Sequence, residues 1–445
     1  MLIDRVRTQA GLPYPDSLYA HRLASPPPAH VPLTGRRKTV VAIVGAGFTG
    51  LAAALALVKA GIDCVVLEAN APGWGASGRN GGQLNPGLKY PPGQVRRDLG
   101  EEAMRLSQAA SDRVFALVEE HGIDCEIHRG GTLRAAVDSG TLADLGGLAE
   151  DAARHGVDYR LLSGSEVASA TGATLYSGGL LDPKGGQLNP LRYVLGLATA
   201  AERSGASILA DSPVLSAEQA KDGWLLKTPH GSLTADAVLF ATNGYSGPLV
   251  PGLARSVLPV FSAVLASRPL PPTLRSRIVA GGESVFETGA ITTYYRVDAE
   301  GRLIFGGRGK MADRSGPQAF PALAALAECL WPGIGAVGWE FGWNGRLALT
   351  ADHYPHVHRI GETGLACLGY NGRGVAMATV LGQDMARLLA ATLSGAPAEP
   401  IFPITPIRPI AFQPFWPMGV APSLALAKAK QRRRDRLARA ARPSS

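Results

Sequence analysis

The stretch from residue 39 to residue 68 reads TVVAIVGAGFTGLAAALALVKAGIDCVVLE. Its first six residues form a continuous, largely β-branched run without polar alternation, which is typical of a strand buried in a parallel sheet. A helical pattern follows over 51–60, and Gly61 stands where helices commonly end. A second apolar run, 63–67, ends at Glu68. The sequence therefore predicts a complete βαβ unit.

The turn between the first strand and the helix carries glycines at the spacing G-x-G-x-x-G. Gly45 permits the tight turn, Gly47 lets the backbone approach a pyrophosphate, and Gly50 lets helix and strand pack closely. The helix N-terminus favours phosphate charge, and an acidic residue at position 68 would accept hydrogen bonds from ribose hydroxyls. The predicted dinucleotide-binding residues of this unit are Gly45, Gly47, Phe48, Thr49, Gly50 and Glu68.

The length and charge of the chain restrict its class. At 445 residues it exceeds the usual size of a single core, so we expect two domains. The net charge is +8, but residues 428–442 hold eight basic side chains and one acidic one, which leaves the remainder near neutral. The basicity therefore belongs to a tail and argues against nucleic-acid binding. A solvated terminus is the simpler interpretation, and peripheral membrane contact is the alternative.

The cysteines and the N-terminal residues indicate the compartment. The cysteines are widely separated and form no C-x-x-C pair, which favours reduced, buried thiols. Residues 1–37 contain a proline-rich stretch but no apolar core of a secretory signal. No apolar run approaches the ~20 residues that cross a bilayer. We therefore expect a soluble, cytoplasmic protein of undetermined oligomeric state with no transmembrane segment.

Helical and strand patterns alternate along the rest of the chain. Helical periodicity covers 101–121, and a further helix is predicted over 190–204. Residues 235–242 are predicted to form a buried strand, and a last helix extends over 375–393. Between 255 and 350, short β-like runs alternate with Gly and Arg, which indicates an antiparallel sheet.

Several separated motifs resemble one known family. They are GASGRNGGQ at 75–83, GGQLNP at 185–190, ATNG at 241–244 and GYNGRGVA at 369–376. Together with the glycine turn, they make most of residues 38–390 similar to the D-amino-acid-oxidase superfamily of FAD-dependent oxidoreductases. The branch of gamma-glutamylputrescine oxidoreductases and their amine-oxidising relatives is the most similar one. Because of this resemblance, we expect the dinucleotide bound by the chain to be FAD.

The resemblance implies a place for each motif around the cofactor. The loop at 75–83 would pass close to the flavin ring, and the helix after 374 would point its N-terminus at the flavin pyrimidine carbonyl. The cofactor residues so implied are Ala76, Ser77, Arg79, Asn80, Gly81, Gly82, Gln83, Val214, Thr242, Asn243, Gly244, Gly372, Arg373, Gly374 and Val375. The loop contains no His or Cys, so we expect non-covalent FAD; a tether through Cys367 is the alternative.

The implied fold class is α/β, or α+β overall: a Rossmann-like FAD-binding domain interleaved with a substrate domain built on an antiparallel sheet. The predicted boundaries are 1–37 for an N-terminal leader, 38–90, 176–250 and 351–395 for the FAD-binding domain, 91–175 and 251–350 for the substrate domain, and 396–445 for a proline-rich segment and the basic tail. The apolar residues between the prolines of this last segment predict that it lies extended against the body.

The substrate side departs from the family pattern. Many α-amino-acid oxidases of the family have Arg-Pro-x-Thr-x-Asp-x-x-Pro, where this chain has Leu347 and Ala348 in place of the Arg and Pro. An arginine fork is the natural clamp for an α-carboxylate, so its loss argues against a plain α-amino-acid oxidase. Arg346, next to that position, weakens the argument.

A predicted strand, Tyr294-Tyr295-Arg296, resembles the one that walls the active site in relatives. Alternation places Tyr294 and Arg296 on one face and Tyr295 on the other. The candidate catalytic residues are Tyr294, Arg296 and Arg346. The histidines at 353, 356 and 358 do not have the spacing of metal ligands, and we predict no metal site.

The resemblance implies oxidation of a C–N bond in a small-molecule primary or secondary amine, for example a γ-glutamyl-capped polyamine. Hydride transfer to flavin would give an imine that hydrolyses. The electron acceptor would be oxygen or a respiratory carrier. An amino- or imino-acid oxidase or dehydrogenase acting on a proline- or pipecolate-like ring is an alternative enzyme, and a flavin-binding regulatory protein is the non-enzyme alternative.

Overall fold

The computed structural model describes residues 11–23, 30–221, 223–288, 293–309, 312–411 and 413. Its helices are α1 Leu18–His21, α2 Phe48–Lys59, α3 Pro92–Leu99, α4 Glu101–Gln108, α5 Ala110–His121, α6 Ser139–Arg154, α7 Gly164–Thr171, α8 Pro190–Arg203, α9 Pro272–Arg275, α10 Pro321–Leu330 and α11 Gly374–Ser394. Its strands are β1 Gly35–Val44, β2 Cys64–Leu67, β3 Gln83–Leu84, β4 Thr132–Ala136, β5 Arg160–Ser163, β6 Gly178–Asp182, β7 Gly186–Gln187, β8 Ser207–Leu209, β9 Ser216–Ala220, β10 Gly223–Lys227, β11 Gly231–Phe240, β12 Leu258–Pro269, β13 Ser284–Thr288, β14 Tyr294–Val297, β15 Arg302–Arg308, β16 Trp339–Leu349, β17 His356–Ile360 and β18 Gly364–Leu368.

The first sheet contains the predicted βαβ unit, which is confirmed. Its strands follow the order β17-β18-β11-β1-β2-β8, and β1 pairs in parallel with both β2 and β11. The hairpin β9-β10 extends from β11. Because β1 lies in the middle of the parallel part, its last residues are buried on both faces, as the unbroken apolar run requires.

Helices α2, α8 and α11 pack together against the first sheet and bury the largest apolar cluster. The apolar run of α2 is buried on nearly every side, from Phe48 to Leu55. The helical periodicity predicted over 101–121 is present as two helices, α4 and α5, divided at Ala109.

The second sheet follows the order β16-β12-β15-β14-β13-β4-β6-β5. All its neighbouring strands are antiparallel except β13 and β4, which pair in parallel, so the predicted antiparallel sheet is in fact mixed. Between β6 and β12 the chain leaves this sheet and contributes β8, β9, β10 and β11 to the first sheet. The strand β6, which the predicted boundary at 176 gave to the FAD-binding domain, belongs to this second sheet.

The two faces of the second sheet have different neighbours. Tyr295 packs with Phe305 and Trp331 in a separate apolar cluster, on the face that α10 covers. Tyr294 and Trp343 point to the other face, toward the largest cluster and the first sheet. The predicted alternation along β14 is therefore confirmed.

Within the region predicted to form a leader, residues 11–23 and 30–37 are part of the folded body. The N-terminal arm, residues 11–23, buries Leu18 and Tyr19, and Trp74 donates its indole N–H to the carbonyl of Pro13. Strand β1 also begins at Gly35, before the predicted boundary. The apolar residues of this arm are too few and too scattered to form a periodic pattern, so the sequence alone does not predict its packing.

In the segment after α11, residues 401–411 and 413 contact the body, as the apolar residues of this segment predicted. Phe402 is 1% exposed, and Thr405 donates its backbone N–H to Val357. The basic tail at 428–442 lies outside the described residues. Among the helices of the described ranges, none is both long enough and apolar enough to cross a bilayer.

The burial of Phe402 gives a test of this docking. We expect Phe402→Ala to lower the free energy of unfolding by about 3–5 kcal/mol, because it leaves a cavity in the largest core. Urea denaturation followed by circular dichroism measures it. The control is Leu175→Ala, at a side chain 59% exposed, which should change stability by less than about 0.5 kcal/mol. Equal effects in both variants would show that the segment is not docked.

Candidate active site

A cavity of about 1660 Å³ is lined by residues of both sheets. Three segments reach its wall: the glycine turn (residues 45–50), the glycine-rich loop (residues 75–83) and the closing motif (residues 369–376). Segments that are far apart in the chain therefore meet at one place.

The glycine turn brings the N-terminus of α2 to the cavity. Gly45 has a φ of +106°, which L side chains rarely adopt. A Cβ at Gly50 would lie 2.0 Å from the carbonyl oxygen of Gly45, so helix and turn can pack this closely only without a side chain there. Phe48 donates its backbone N–H to Ser77 Oγ at 3.0 Å. The N-terminus of α2 lines the cavity, and a helix N-terminus favours a bound anion.

Glu68 lies at the end of β2 beside this turn. One carboxylate oxygen accepts the backbone N–H of Ala46 at 2.8 Å, and the other accepts that of Asn70 at 3.0 Å. Burial raises the pKa of Glu68, and these N–H groups act in the opposite direction. The carboxylate is thus fixed by backbone at the cavity wall, with lone pairs left for ligand hydroxyls.

The glycine-rich loop is held in shape by its own side chains. Asn80 Nδ2 donates to the carbonyl of Ser77 at 2.8 Å, and its Oδ1 accepts the N–H of Gly82 at 2.9 Å. Arg79 Nε donates to the carbonyl of Trp74 at 2.7 Å, and the guanidinium lies 4.2 Å from the Trp74 ring centroid. These polar residues therefore order the loop itself.

Arg296 supports the glycine-rich loop from behind. Its Nε donates to the carbonyl of Gly81 at 2.7 Å, and its two terminal nitrogens donate to Gln187 Oε1 and to the Tyr19 hydroxyl. The side chain is 2% exposed and does not line the cavity. Alternation along β14 predicted the correct face for Arg296 but not how deeply its side chain is buried. Arg296 therefore lies behind the cavity wall and positions the loop, whereas the sequence predicted a catalytic residue.

Tyr294 and Arg346 both line the cavity. The Tyr294 ring packs on Gly81, and its hydroxyl bonds to Ser262 Oγ at 2.8 Å. Burial raises the pKa of Tyr294, which keeps the phenol neutral. The Arg346 guanidinium lies 5.4 Å and 5.3 Å from the rings of Tyr245 and Phe261.

The closing motif is tied to both sheets at the start of α11. Asn371 Oδ1 accepts the backbone N–H of Thr350 at 3.0 Å, and Asn243 Oδ1 accepts that of Gly369 at the same distance. Arg373, immediately before the helix, donates to the carbonyl of Pro86 at 2.8 Å. The N-terminus of α11 is thus held at the cavity wall.

Comparison with known proteins identifies the family. Residues 41–388 match the family described as FAD dependent oxidoreductase (DAO). The chain belongs to the DAO family of FAD-dependent oxidoreductases. It is 31% identical over 370 residues to a probable oxidoreductase OrdL of Haemophilus influenzae, covering 80% of this chain and 84% of that protein. It is 30% identical to the gamma-glutamylputrescine oxidoreductase of Escherichia coli, covering 78% and 83%. Glycine oxidase from Geobacillus kaustophilus has a similar structure, with a TM-score of 0.71 at 22% identity, covering 84% and 99%.

The cavity fits the FAD on which this DAO family depends. The glycine turn leaves an open helix N-terminus for the diphosphate, and Glu68 lies where ribose hydroxyls are expected. Asn85 Oδ1 and Arg346 Nε are buried atoms of cavity-lining residues, and within the described residues neither has a hydrogen-bond partner. Buried polar atoms without partners are costly, so these two indicate a place for a polar ligand.

Most of the predicted cofactor residues line this cavity. They are Gly45, Gly47, Phe48, Thr49, Glu68, Ala76, Ser77, Arg79, Asn80, Gly81, Gln83, Val214, Thr242, Asn243, Gly372, Arg373, Gly374 and Val375. Gly50, Gly82 and Gly244 do not line it, because they lie where backbone segments cross behind the wall.

Several cavity residues had no sequence signal. Leu12 comes from the N-terminal arm, Lys89 follows the glycine-rich loop, and Arg134 and Phe286 lie on strands of the second sheet. A single arginine or phenylalanine in a short strand looks like ordinary sheet packing. Only the pairing of β4 with β13 brings these last two together.

His356, His358 and the buried Cys367 have structural surroundings, whereas His353 lines the cavity. His356 bonds to Asp352, and His358 Nδ1 bonds to the carbonyl of Thr405. In the described part of the chain, no group of three or more His, Cys, Asp or Glu side chains could hold a metal ion. Cys367 is fully buried beneath the Tyr370 hydroxyl and does not line the cavity.

Gly50 tests the role of the glycine turn. We expect Gly50→Ala to raise the Kd for FAD by about 10- to 100-fold, because overpacking at the start of α2 costs about 1–3 kcal/mol. Quenching of flavin fluorescence on titrating apoprotein measures the Kd. In the control, Gly146→Ala on α6, a Cβ would meet nothing within 4 Å, and we expect an unchanged Kd. An unchanged Kd in Gly50→Ala would contradict binding at this turn.

Arg296 tests the support of the glycine-rich loop. We expect Arg296→Met to lower the free energy of unfolding by about 3 kcal/mol and to weaken FAD binding, since it leaves buried acceptors unpaired. Tyr19→Phe, which removes only one acceptor, should cost about 1 kcal/mol. Urea denaturation and flavin titration measure both quantities. Tight FAD binding in a folded Arg296→Met variant would show that the loop does not need this support.

Proposed function

We propose that this DAO-family enzyme oxidises the C–N bond of a primary or secondary amine, of the class represented by γ-glutamyl-capped polyamines. The observation that carries the proposal is Leu347, which lines the cavity where amino-acid oxidases of the family often have the arginine that clamps an α-carboxylate. The 30% identity to gamma-glutamylputrescine oxidoreductase over most of both chains supports the same class. Bound FAD supplies the hydride acceptor for such an oxidation.

The cavity favours the reactive form of an amine. Hydride leaves the carbon next to nitrogen only when the nitrogen lone pair is free, so the amine must be neutral. Among the described lining residues, one lysine and five arginines face two aspartates and two glutamates. A cationic side chain beside a bound amine would lower the pKa of that amine and favour loss of its proton. The substrate imine formed by loss of hydride then hydrolyses to a carbonyl compound.

The aromatic side chains would position the alkyl part of the substrate. Tyr294 packs against the glycine-rich loop, and Phe286 lies beside it on the neighbouring strand. Both line the cavity and present apolar surface that excludes water. Because its phenol stays protonated and bonded to Ser262, we assign Tyr294 a shaping role and not that of a base.

Anaerobic mixing tests the proposal. We expect γ-glutamylputrescine or a similar amine to bleach the flavin absorbance of the holoenzyme, whereas glycine and proline leave it oxidised. The rate is followed by stopped-flow absorbance, with buffer alone as the control. Bleaching by the amino acids and not by any amine would overturn the proposal.

Arg346 favours an amino- or imino-acid substrate as the second candidate. Its side chain lines the cavity, and its Nε lacks a partner within the described residues. If an amino acid is the substrate, Arg346→Met should raise the Kd of that amino acid by about 10- to 100-fold. If an amine without a carboxylate is the substrate, Arg346→Met should leave the ratio of its rate to its Kd within a fewfold of wild type.

A further inference from the structure

Three cavity residues form a row across adjacent strands of the second sheet. Phe286 on β13 pairs with Tyr294 on β14 and, on its other side, with Arg134 on β4. Residues paired in this way project from the same face of a sheet. All three line the cavity. The row therefore runs from an aromatic ring beside the glycine-rich loop, across a second ring, to a guanidinium.

The length of the row follows from strand spacing. Neighbouring strands lie about 4.8 Å apart, so Tyr294 and Arg134 are separated by two spacings, or roughly 10 Å. Tyr294 contacts Gly81 of the glycine-rich loop, the part of the FAD site that the family places near the flavin ring. Arg134 is thus at the end of the row that is farther from this loop.

A second arginine joins Arg134 at that end. The Arg373 guanidinium lies 5.4 Å from the Phe286 ring centroid, and that of Arg134 lies 5.8 Å from it. Arg134 Nη2 contacts the Tyr159 hydroxyl at 3.4 Å, and Arg373 Nη1 donates to the Pro86 carbonyl. Two cations from different elements therefore converge over one aromatic ring.

The charge of this arginine pair is not neutralised by direct ion pairs. Within the described residues, neither guanidinium has a carboxylate oxygen inside 4.0 Å. Asp182 is the carboxylate that interacts with both at longer range, and burial raises its pKa. Burial and the neighbouring Arg134 lower the pKa of Arg373 to about 9. Two guanidinium groups on one cavity wall without a direct ion pair are suited to a bound anion.

We propose that Arg134 and Arg373 bind a substrate carboxylate, and that this carboxylate is separated from the reacting carbon by the length of the row. The proposal rests on the amine oxidation proposed above and narrows it to amines that carry a distal carboxylate. A carboxylate matches the planar fork of a guanidinium, and Phe286 would contact the apolar chain between the two ends. The substitution of Leu347 for the usual arginine agrees with a carboxylate held elsewhere.

Isomeric eight-carbon probes test the position of the carboxylate. In the wild-type holoenzyme, we expect 8-aminooctanoate to reduce the flavin with a Kd about 10- to 100-fold below that of octylamine. The isomer 2-aminooctanoate, which carries its carboxylate on the reacting carbon, should show no such advantage. Anaerobic stopped-flow absorbance gives both rate and Kd. Equal Kd values for 8-aminooctanoate and octylamine, or a preference for the 2-amino isomer, would overturn the proposal.

Variants test the residues. Arg134→Gln should reduce the preference for 8-aminooctanoate over octylamine by about 10- to 100-fold, and Arg134→Lys should restore part of it. The control is Arg160→Gln, an exposed arginine on β5 of the same sheet, in which the preference should equal that of wild type. If Arg134→Gln alters the Kd for FAD but leaves this preference unchanged, the pair acts on the flavin and the proposal fails.

Binding without turnover separates this proposal from the function it rests on. We expect octanoate, unlike 1-octanol, to perturb the absorbance of bound flavin in wild-type enzyme, with a Kd at least about tenfold lower than in Arg134→Gln. This result would support the subsite even if no amine reduced the flavin, in which case only the proposed oxidation would fail. Equal binding of octanoate to wild type, Arg134→Lys and Arg134→Gln would overturn the subsite even in an active amine oxidase.

Discussion

The parallel pairing of β1 with β2 and β11 determines where the rest of the site can lie. Parallel strands end at the same edge of a sheet, and β1 and β11 both end at the cavity, where Val44 pairs with Phe240. The glycine turn follows the first of these strands and Asn243 follows the second. The same edge receives Glu68, because β2 is in register with β1. The alignment of these strands therefore assembles the cofactor half of the cavity before any side chain is considered.

The packing behind the glycine-rich loop depends on a different constraint, the burial of a cationic side chain. Arg296 is almost completely enclosed, and its three acceptors come from the glycine-rich loop, strand β7 and the N-terminal arm. A guanidinium buried without acceptors would be very costly, so all three segments must be in place together. This couples the N-terminal arm to the loop that approaches the flavin, although the arm contributes little to the cavity wall itself.

The sequence predicted the parts of the site that local pattern determines. The glycine spacing, the run before it and Glu68 specify a βαβ unit within thirty residues, and the structure has it at nearly the predicted bounds. The alternation at Tyr294 and Tyr295 likewise gave the correct faces. The sequence could not show how deeply a side chain is buried or which distant residues it contacts. Arg296 looked like a catalytic residue because alternation cannot distinguish a cavity wall from a buried layer, and its partner Tyr19 is 277 residues away.

The same limit explains why Arg134 was missed and why it matters. Its neighbour Phe286 is 152 positions away, and only the parallel pairing of β4 with β13 places the two side by side. That pairing also fixes the order of side chains along the cavity wall. Aromatic rings lie beside the glycine-rich loop, and the arginine pair lies at the farther end of the row. In the proposed binding mode, the arginine pair holds the carboxylate of the substrate, and the amine lies beside the glycine-rich loop. If the substrate carries both groups, the strand order of the second sheet would set which of its ends meets the flavin.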